Sequence, residues 1–326
     1  MDPISHALLG RSLNCLDSRR RLGRGAAAAF VLGSLAPDID IVLVVRGWDI
    51  YLQSHALGTH TVAAAPLLAA ATAALVRRCV RGSRYPRLFV AALIGVIAGH
   101  VLFDLVSGSN MRLLAPLSYR VYAPHLLAMA DVTAMAVLLA GTLLSLWRRT
   151  AGGVVVVAGL AALLVVKTVS WQVASRTYER AALQVAAVAR PEAINGSLVR
   201  WWYYDRAGDV ARAWIVDAWR QQASIAFTRA ALSDPDIEST RRVPAVQRFF
   251  GLAEVPFARV ELLNGERRVL WSDLKYCDAD RCAMSFGAAM DERGSPQREL
   301  IQIGTYLMTR PFEFRARAMS ATCCGE

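Results

Sequence analysis

His100 and Asp104 stand four residues apart in the apolar run 88 to 106. If that run is a helix, both side chains fall on one face about one turn apart, where a single metal ion can take both. Read alone, the pair serves equally well as a buried histidine hydrogen-bonded to its own helix. Asp38 and Asp40 follow Pro37; a spacing of two would splay them by about 200° on a continuous helix, whereas a proline break lets both carboxylates turn to one centre. Their plainer reading is a solvated turn at a membrane surface. His55 and His60 lie either side of Gly58 and Thr59, with Thr59 suited to cap the helix that follows. His6 stands in a short segment at the N-terminus, and His125 completes the five histidines. All five precede residue 126, among segments apolar enough to enter a bilayer, where an ionisable side chain costs about 3 kcal/mol even on lenient insertion scales. Imidazoles and carboxylates retained there point to a metal.

The elements that must position these groups follow from the apolar runs near 25 to 45, 60 to 76, 88 to 106, 123 to 147 and 152 to 171. Measured against the roughly 20 residues needed to cross a bilayer, they predict about five spans. The first is broken: a helix should end near Ala36, with a polar break at Pro37 and a short apolar continuation through Val45. The second is short and contains Pro66. Residues 3 to 14 predict an amphipathic helix too brief to span, and only as a re-entrant helix would it bring His6 beside the others. Arginines cluster before the first span (Arg19, Arg20, Arg21, Arg24), between the second and third (Arg77 to Arg87), and after the fourth (Arg148, Arg149). Basic loops stay on the cytoplasmic side. Five spans then put the chain after Trp171 outside, in the periplasm of a Gram-negative cell, with the Asp38/Asp40 break, His55, His60 and the His100/Asp104 end toward the outer face. His125, at the start of the fourth span, is expected to be interfacial.

Charge and cysteines fit a two-part chain of 326 residues, with a membrane domain at 1–171 and a soluble α+β domain at 172–326. The first part holds 16 Lys and Arg against 7 Asp and no Glu; the second holds 21 against 19. The net +11 therefore belongs almost wholly to the membrane half, in short runs between apolar segments, which orient a membrane protein rather than bind nucleic acid. No cleavable signal peptide is expected, because the basic run follows the first turns of structure. In the second half a helix over 173–188 should lead to hairpins: 198–204 with 211–217, 257–263 with 268–274 around Asn264-Gly265, and 300–309 with 312–318 around Pro311. Cys277 and Cys282 could pair in an oxidising compartment; the vicinal Cys323 and Cys324 could not easily do so.

Taken in order, these motifs resemble the YdjM-like predicted inner-membrane metal-dependent hydrolases. The resemblance rests on Met1 to Gly10, Gly33-Ser34-Leu35-Ala36-Pro37-Asp38-Ile39-Asp40, His55 to Thr61, and Gly99-His100 with Asp104 and Pro116-Leu117-Ser118. Looser matches extend to Pro191–Trp202 and Trp271–Tyr276. It implies metal positions at His6, Asp38, Asp40, His60, His100 and Asp104. Ala56 stands where the family usually has Arg and Thr61 where it usually has Ser, which leaves open the anion contact that arginine would make.

Six ligands exceed the three or four of a single catalytic zinc, so the site would hold two divalent ions, or one ion with supporting carboxylates. Zn or Mn suits imidazole with carboxylate best. The chain has no nucleophile elbow or Gly-rich phosphate loop, which leaves metal-activated water as nucleophile, with Asp38, Asp104 and His55 as the catalytic side chains. At an outer bilayer interface the accessible substrate is a membrane lipid or lipid-linked phosphodiester or ester, with Arg112 and Arg120 as candidate phosphate contacts. Two other readings stay open: a non-catalytic membrane protein stapled by a structural metal, and a metal or proton transporter.

Overall fold

Small residues set how closely the first helices approach. The protein is represented by a computed structural model, which describes residues 2–55, 58–182, 187–188, 191–230, 234–278 and 281–311, with backbone alone at 187, 188 and 311. α1 (Pro3–Leu16) starts at Asp2, whose carboxylate accepts the Ser5 N–H, and Pro3 occupies its first turn. It packs against α2 (Ala26–Leu35) and against two later helices, so the short helix lies inside the bundle. α2 runs directly into a 3₁₀ helix over Ala36–Arg46. The expected polar break at Pro37 is therefore a tightening of the helix: proline fits a first turn, where its missing N–H costs nothing. α3 (Trp48–His55) and α4 (Ala65–Cys79) follow, then α5 (Tyr85–Val96), a π-helical turn over Ile97–Val101, and α6 (Leu102–Val106). At Gly33 a Cβ would lie 2.5 Å from the Ala92 carbonyl oxygen, and at Gly99 it would lie 2.1 Å from Ser34 Oγ. Only glycine lets α2 and the α5–α6 segment meet so closely.

α7 (Val132–Trp147) is capped by Asp131, and α8 (Arg149–Ala181) is a single helix of 33 residues. The span near 152 to 171 and the expected helix over 173–188 are thus largely one element, because no glycine or proline interrupts residues 160 to 181. Among the described residues, three helical segments are long and apolar enough to cross a membrane: Ala26–Arg46, Tyr85–Val106 and Arg149–Ala181. α7 and α4, at 16 and 15 residues, fall short of the roughly 20 needed.

The second half is rich in β-sheet. β1 (Ala187–Val188) and β2 (Glu192–Ala193) both pair with β3 (Arg200–Ala207), which continues to β4 (Val210–Asp217) and β5 (Gln222–Ala230), all antiparallel. Two short helices, α9 (Pro235–Thr240) and α10 (Pro244–Phe250), lead to a meander of β6 (Pro256–Leu263), β7 (Glu266–Asp273), β8 (Met284–Met290), β9 (Pro296–Ile303) and β10 (Tyr306–Pro311). Asn264 and Gly265 both take positive φ, 55° and 79°, in the two-residue turn between β6 and β7. The last hairpin turns at Gly304-Thr305, inside the stretch expected as one strand, and residues 312–318 lie outside the described residues. Cys277 and Cys282 form a disulfide; Cys323 and Cys324 lie outside the described residues.

The two halves meet at α3. Trp48 and Leu52 pack on the core of the second sheet, formed by Phe249, Trp271 and Phe286 among others. Asp49 is buried beneath them and accepts hydrogen bonds from Arg248 of α10 and Arg310 of β10. Burial alone would raise its carboxyl, but the Arg310 hydrogen bond and both guanidinium charges hold it below the ordinary carboxylate range.

A candidate metal centre in the helical half

Three histidines arrive on three different elements. His6 comes from α1, His60 from the turn before α4, and His100 from the π-helical turn. The π-turn places His100 against α2, where its Nδ1 lies 2.6 Å from the Ser34 carbonyl oxygen. His6 Nδ1 lies 2.9 Å from the Gly99 carbonyl oxygen. A carbonyl only accepts, so each Nδ1 carries the proton and each Nε2 is a bare lone pair when the ring is neutral. His60 follows the same logic: Thr59 Oγ1 donates to Asp40 Oδ2 at 2.9 Å and therefore accepts from His60 Nδ1, 3.1 Å away.

These lone pairs converge on one another and on carboxylates. The Nε2 atoms of His60 and His100 are 2.9 Å apart. His6 Nε2 is 3.2 Å from Asp104 Oδ1, and Asp104 Oδ2 is 3.4 Å from His100 Nε2 and 3.6 Å from His60 Nε2. Asp38 Oδ1 is 3.5 Å from both His60 Nε2 and His100 Nε2, and its buried Oδ2 has no hydrogen-bond donor among the described residues. The three Nε2 lone pairs and the Asp38 carboxylate crowd one another, which is repulsive unless protons or a cation intervene. His6 and His100 are stacked with centroids 3.8 Å apart and are fully buried. The donor chemistry fits a divalent metal, with each Nδ1–H fixed by an oxygen as in ligating histidines generally.

Two adjoining groups have ligand atoms within 4.8 Å of one another: His6, His100 and Asp104, and Asp38, His55 and His60. The structure thus gathers His6, Asp38, His60, His100 and Asp104, five of the six positions that the family resemblance implies. It divides the remaining roles differently. Asp40, expected as a ligand, turns to His55, whose Nδ1 lies 3.0 Å from Asp40 Oδ2, and to Thr59. On the 3₁₀ helix Asp38 and Asp40 bracket the His60 ring from opposite sides, since Asp40 Oδ2 is 3.7 Å from Nδ1.

A cavity of about 520 Å³ opens beside the cluster. Asp38, His55 and His60 form one end; α3, the 108–111 segment, α10 and the second sheet form the rest. Tyr51 lines it too, and burial with the nearby carboxylates of Asp40, Asp38 and Asp104 pushes its phenol up, so the hydroxyl stays protonated. Arg112 and Arg120 are not among the lining residues; Arg120 is exposed, its guanidinium over the Tyr122 ring. His125, expected at the interface, is fully buried: its Nε2 lies 3.2 Å from Asn110 Oδ1 and its Nδ1 3.4 Å from Glu192. Lys275, also buried, bridges Glu192 and Glu254, so these groups tie the 108–125 segment to the β half. A further buried pair joins Lys167 of α8 to Asp131, and only the oddity of one lysine in an apolar run signals it in sequence.

Compared with models of known families, residues 1–174 match the one described as YdjM inner membrane protein. No curated protein and no solved structure matches the chain.

Proposed function

The chain belongs to the family of YdjM inner membrane proteins, and from that premise we propose that it is a metal-dependent hydrolase of phosphodiesters or esters. The observation that supports this reading is the convergence of three histidine Nε2 atoms with the Asp38 and Asp104 carboxylates beside a cavity. His6, His60, His100, Asp38 and Asp104 would hold the metal, and their number accommodates two ions. Zn or Mn suits this set. A bound divalent ion supplies a water of lowered pKa and charge stabilisation at a phosphoryl or carbonyl oxygen.

The remaining chemistry belongs to the chain. Gly99, Ser34 and Thr59 oxygens fix the rings of His6, His100 and His60. His55 lines the cavity with Nδ1 engaged by Asp40, which leaves Nε2 as its basic atom. It would take the proton of the attacking water, with the Asp40 carboxylate stabilising the imidazolium. The Tyr51 hydroxyl is placed to donate a hydrogen bond to substrate. Partial exposure of the Asp38 and His55 side chains, 23% and 24%, favours catalysis over a closed structural staple.

Five crossings, with α4 and α7 as short return passes, would place the β half outside the cytoplasm. The basic loops support that orientation, and so does the Cys277–Cys282 disulfide, which persists in an oxidising compartment.

The test is hydrolysis of bis-p-nitrophenyl phosphate and p-nitrophenyl butyrate by the purified full chain, metal-loaded and chelated. Metal-dependent turnover is expected on one of them, with His55→Ala lowering kcat by about 100-fold or more while metal is retained. Turnover indifferent to chelation, or absent from metal-loaded protein with both substrates, overturns the reading.

A further inference from the structure

The cavity beside the metal-ligating cluster is apolar out of proportion to the chemistry at its end. Away from Asp38, His55 and His60 its walls are chiefly Trp48, Leu52, Phe249, Leu252, Met284 and Phe286. The first two come from the helical half and the other four from the β half, so the enclosure exists only because the two halves pack together. Its volume, about 520 Å³, is that of a ligand site rather than a packing defect. An apolar enclosure of that size beside charged groups matches an amphiphile, with its polar bond at the charged end and its hydrocarbon in the dry part.

The cavity also reaches the surface where lipid would lie. Ile41 and Met129 line it and are 48% and 54% exposed. Ile41 belongs to the 3₁₀ end of an apolar span-length helix whose neighbours Ile39, Val42 and Val45 are 63%, 60% and 88% exposed. Apolar side chains bared on such a helix face hydrocarbon, so this mouth opens onto the bilayer.

We propose that the cavity between α3, α10 and the second sheet holds an acyl chain of a membrane phospholipid, entering past Ile41, with the bond to be cleaved at Asp38, His55 and His60. The β half then selects substrate by its chain while the helical half carries the chemistry. The position of the cleaved bond rests on the hydrolase reading; the chain-binding slot does not.

The test separates the two. Full-length protein in vesicles of phosphatidylethanolamine and phosphatidylglycerol, doped with phosphatidylglycerol carrying a diazirine at the end of one acyl chain, is photolysed and its adducts mapped by mass spectrometry. Adducts are expected at Leu252, Met284 or Phe286, as well as at lipid-facing Val45 and Val165. Ala253→Trp and Leu252→Trp, which fill the slot, should lose the former and keep the latter, and the retained surface adducts report that each variant is inserted. Adducts confined to lipid-facing positions in the wild type, or undiminished in both variants, overturn the proposal. Cavity adducts in a protein without metal-dependent turnover would uphold the slot and overturn the hydrolase reading alone.

Discussion

Replacing Gly99 by alanine should loosen the metal centre without touching a ligand. The added Cβ would lie 2.1 Å from Ser34 Oγ, 3.0 Å from Ser34 Cβ and 3.6 Å from Leu13 Cδ1. Ser34 can swing its hydroxyl away only by giving up the bond from Oγ to the Phe30 carbonyl, 2.9 Å, and its contact with the Gly95 carbonyl, 3.2 Å, at a cost of about 1 kcal/mol. The contact with Ser34 Cβ remains, so α2 and the π-turn must separate slightly, an overpacking worth about 1–3 kcal/mol. Alanine returns about 1 kcal/mol of helix propensity, leaving a net loss of about 1–3 kcal/mol. Because His100 Nδ1 binds the Ser34 carbonyl at 2.6 Å, the same separation disturbs the orientation of His100. Metal affinity should then fall about 10- to 100-fold, as when the partner of a ligating histidine is lost. Unfolding of the detergent-solubilised chain gives the first quantity and metal titration gives the second. Adding Ser34→Gly removes both clashing atoms and should recover part of each loss. Wild-type stability and affinity in Gly99→Ala, or no recovery in the double variant, would refute this account of the crossing.

Asp40→Asn should retain metal yet lower turnover about 10- to 100-fold, because it weakens the support of His55 rather than a metal bond; loss of metal in the variant would return Asp40 to the ligand set. Asp49→Ala, which strands the Arg248 guanidinium and leaves Arg310 only Glu299, 3.7 Å away, should destabilise by about 3 kcal/mol on chemical denaturation. The Asp49 carboxyl is lowered in the fold, so its contribution is complete above the unfolded value of about 4 and is lost as pH falls through the folded value. Asp49→Asn should therefore flatten the acid limb of the stability profile, and an unchanged limb would count against the clamp. Lys167→Met should cost about 3 kcal/mol by leaving the Asp131 carboxylate without its buried cation. The pair Lys167→Met with Asp131→Asn should regain most of that, since asparagine still caps α7; thermal unfolding of both decides it.

Much of the centre was legible because its chemistry is costly in an apolar context. Asp38, His60, His100 and Asp104 stand out as ionisable groups in or beside apolar runs, His6 enters through the family resemblance, and the structure gathers all five. Spacing did not predict which carboxylate serves which histidine: the 3₁₀ winding after Leu35 sets Asp38 and Asp40 on opposite sides of His60. His125 misled because its partners, Asn110 and Glu192, lie fifteen residues earlier in the same connection and in the other half. The Asn264-Gly265 turn was readable because positive φ is demanded of both residues, whereas the Gly304 turn lay hidden inside one apolar run. The cavity could not be read at all, since its walls come from α3, α10 and β8, distant in sequence.

The central claim is that the buried cluster binds a divalent ion, and metal content tests it most directly. The full chain, expressed with Zn and Mn supplied and purified without chelator, is analysed by inductively coupled plasma mass spectrometry beside His60→Ala and Asp104→Ala. Stoichiometric Zn or Mn in the wild type, lost in both variants while they remain folded, is the predicted result. A folded wild-type protein carrying no stoichiometric metal would contradict it.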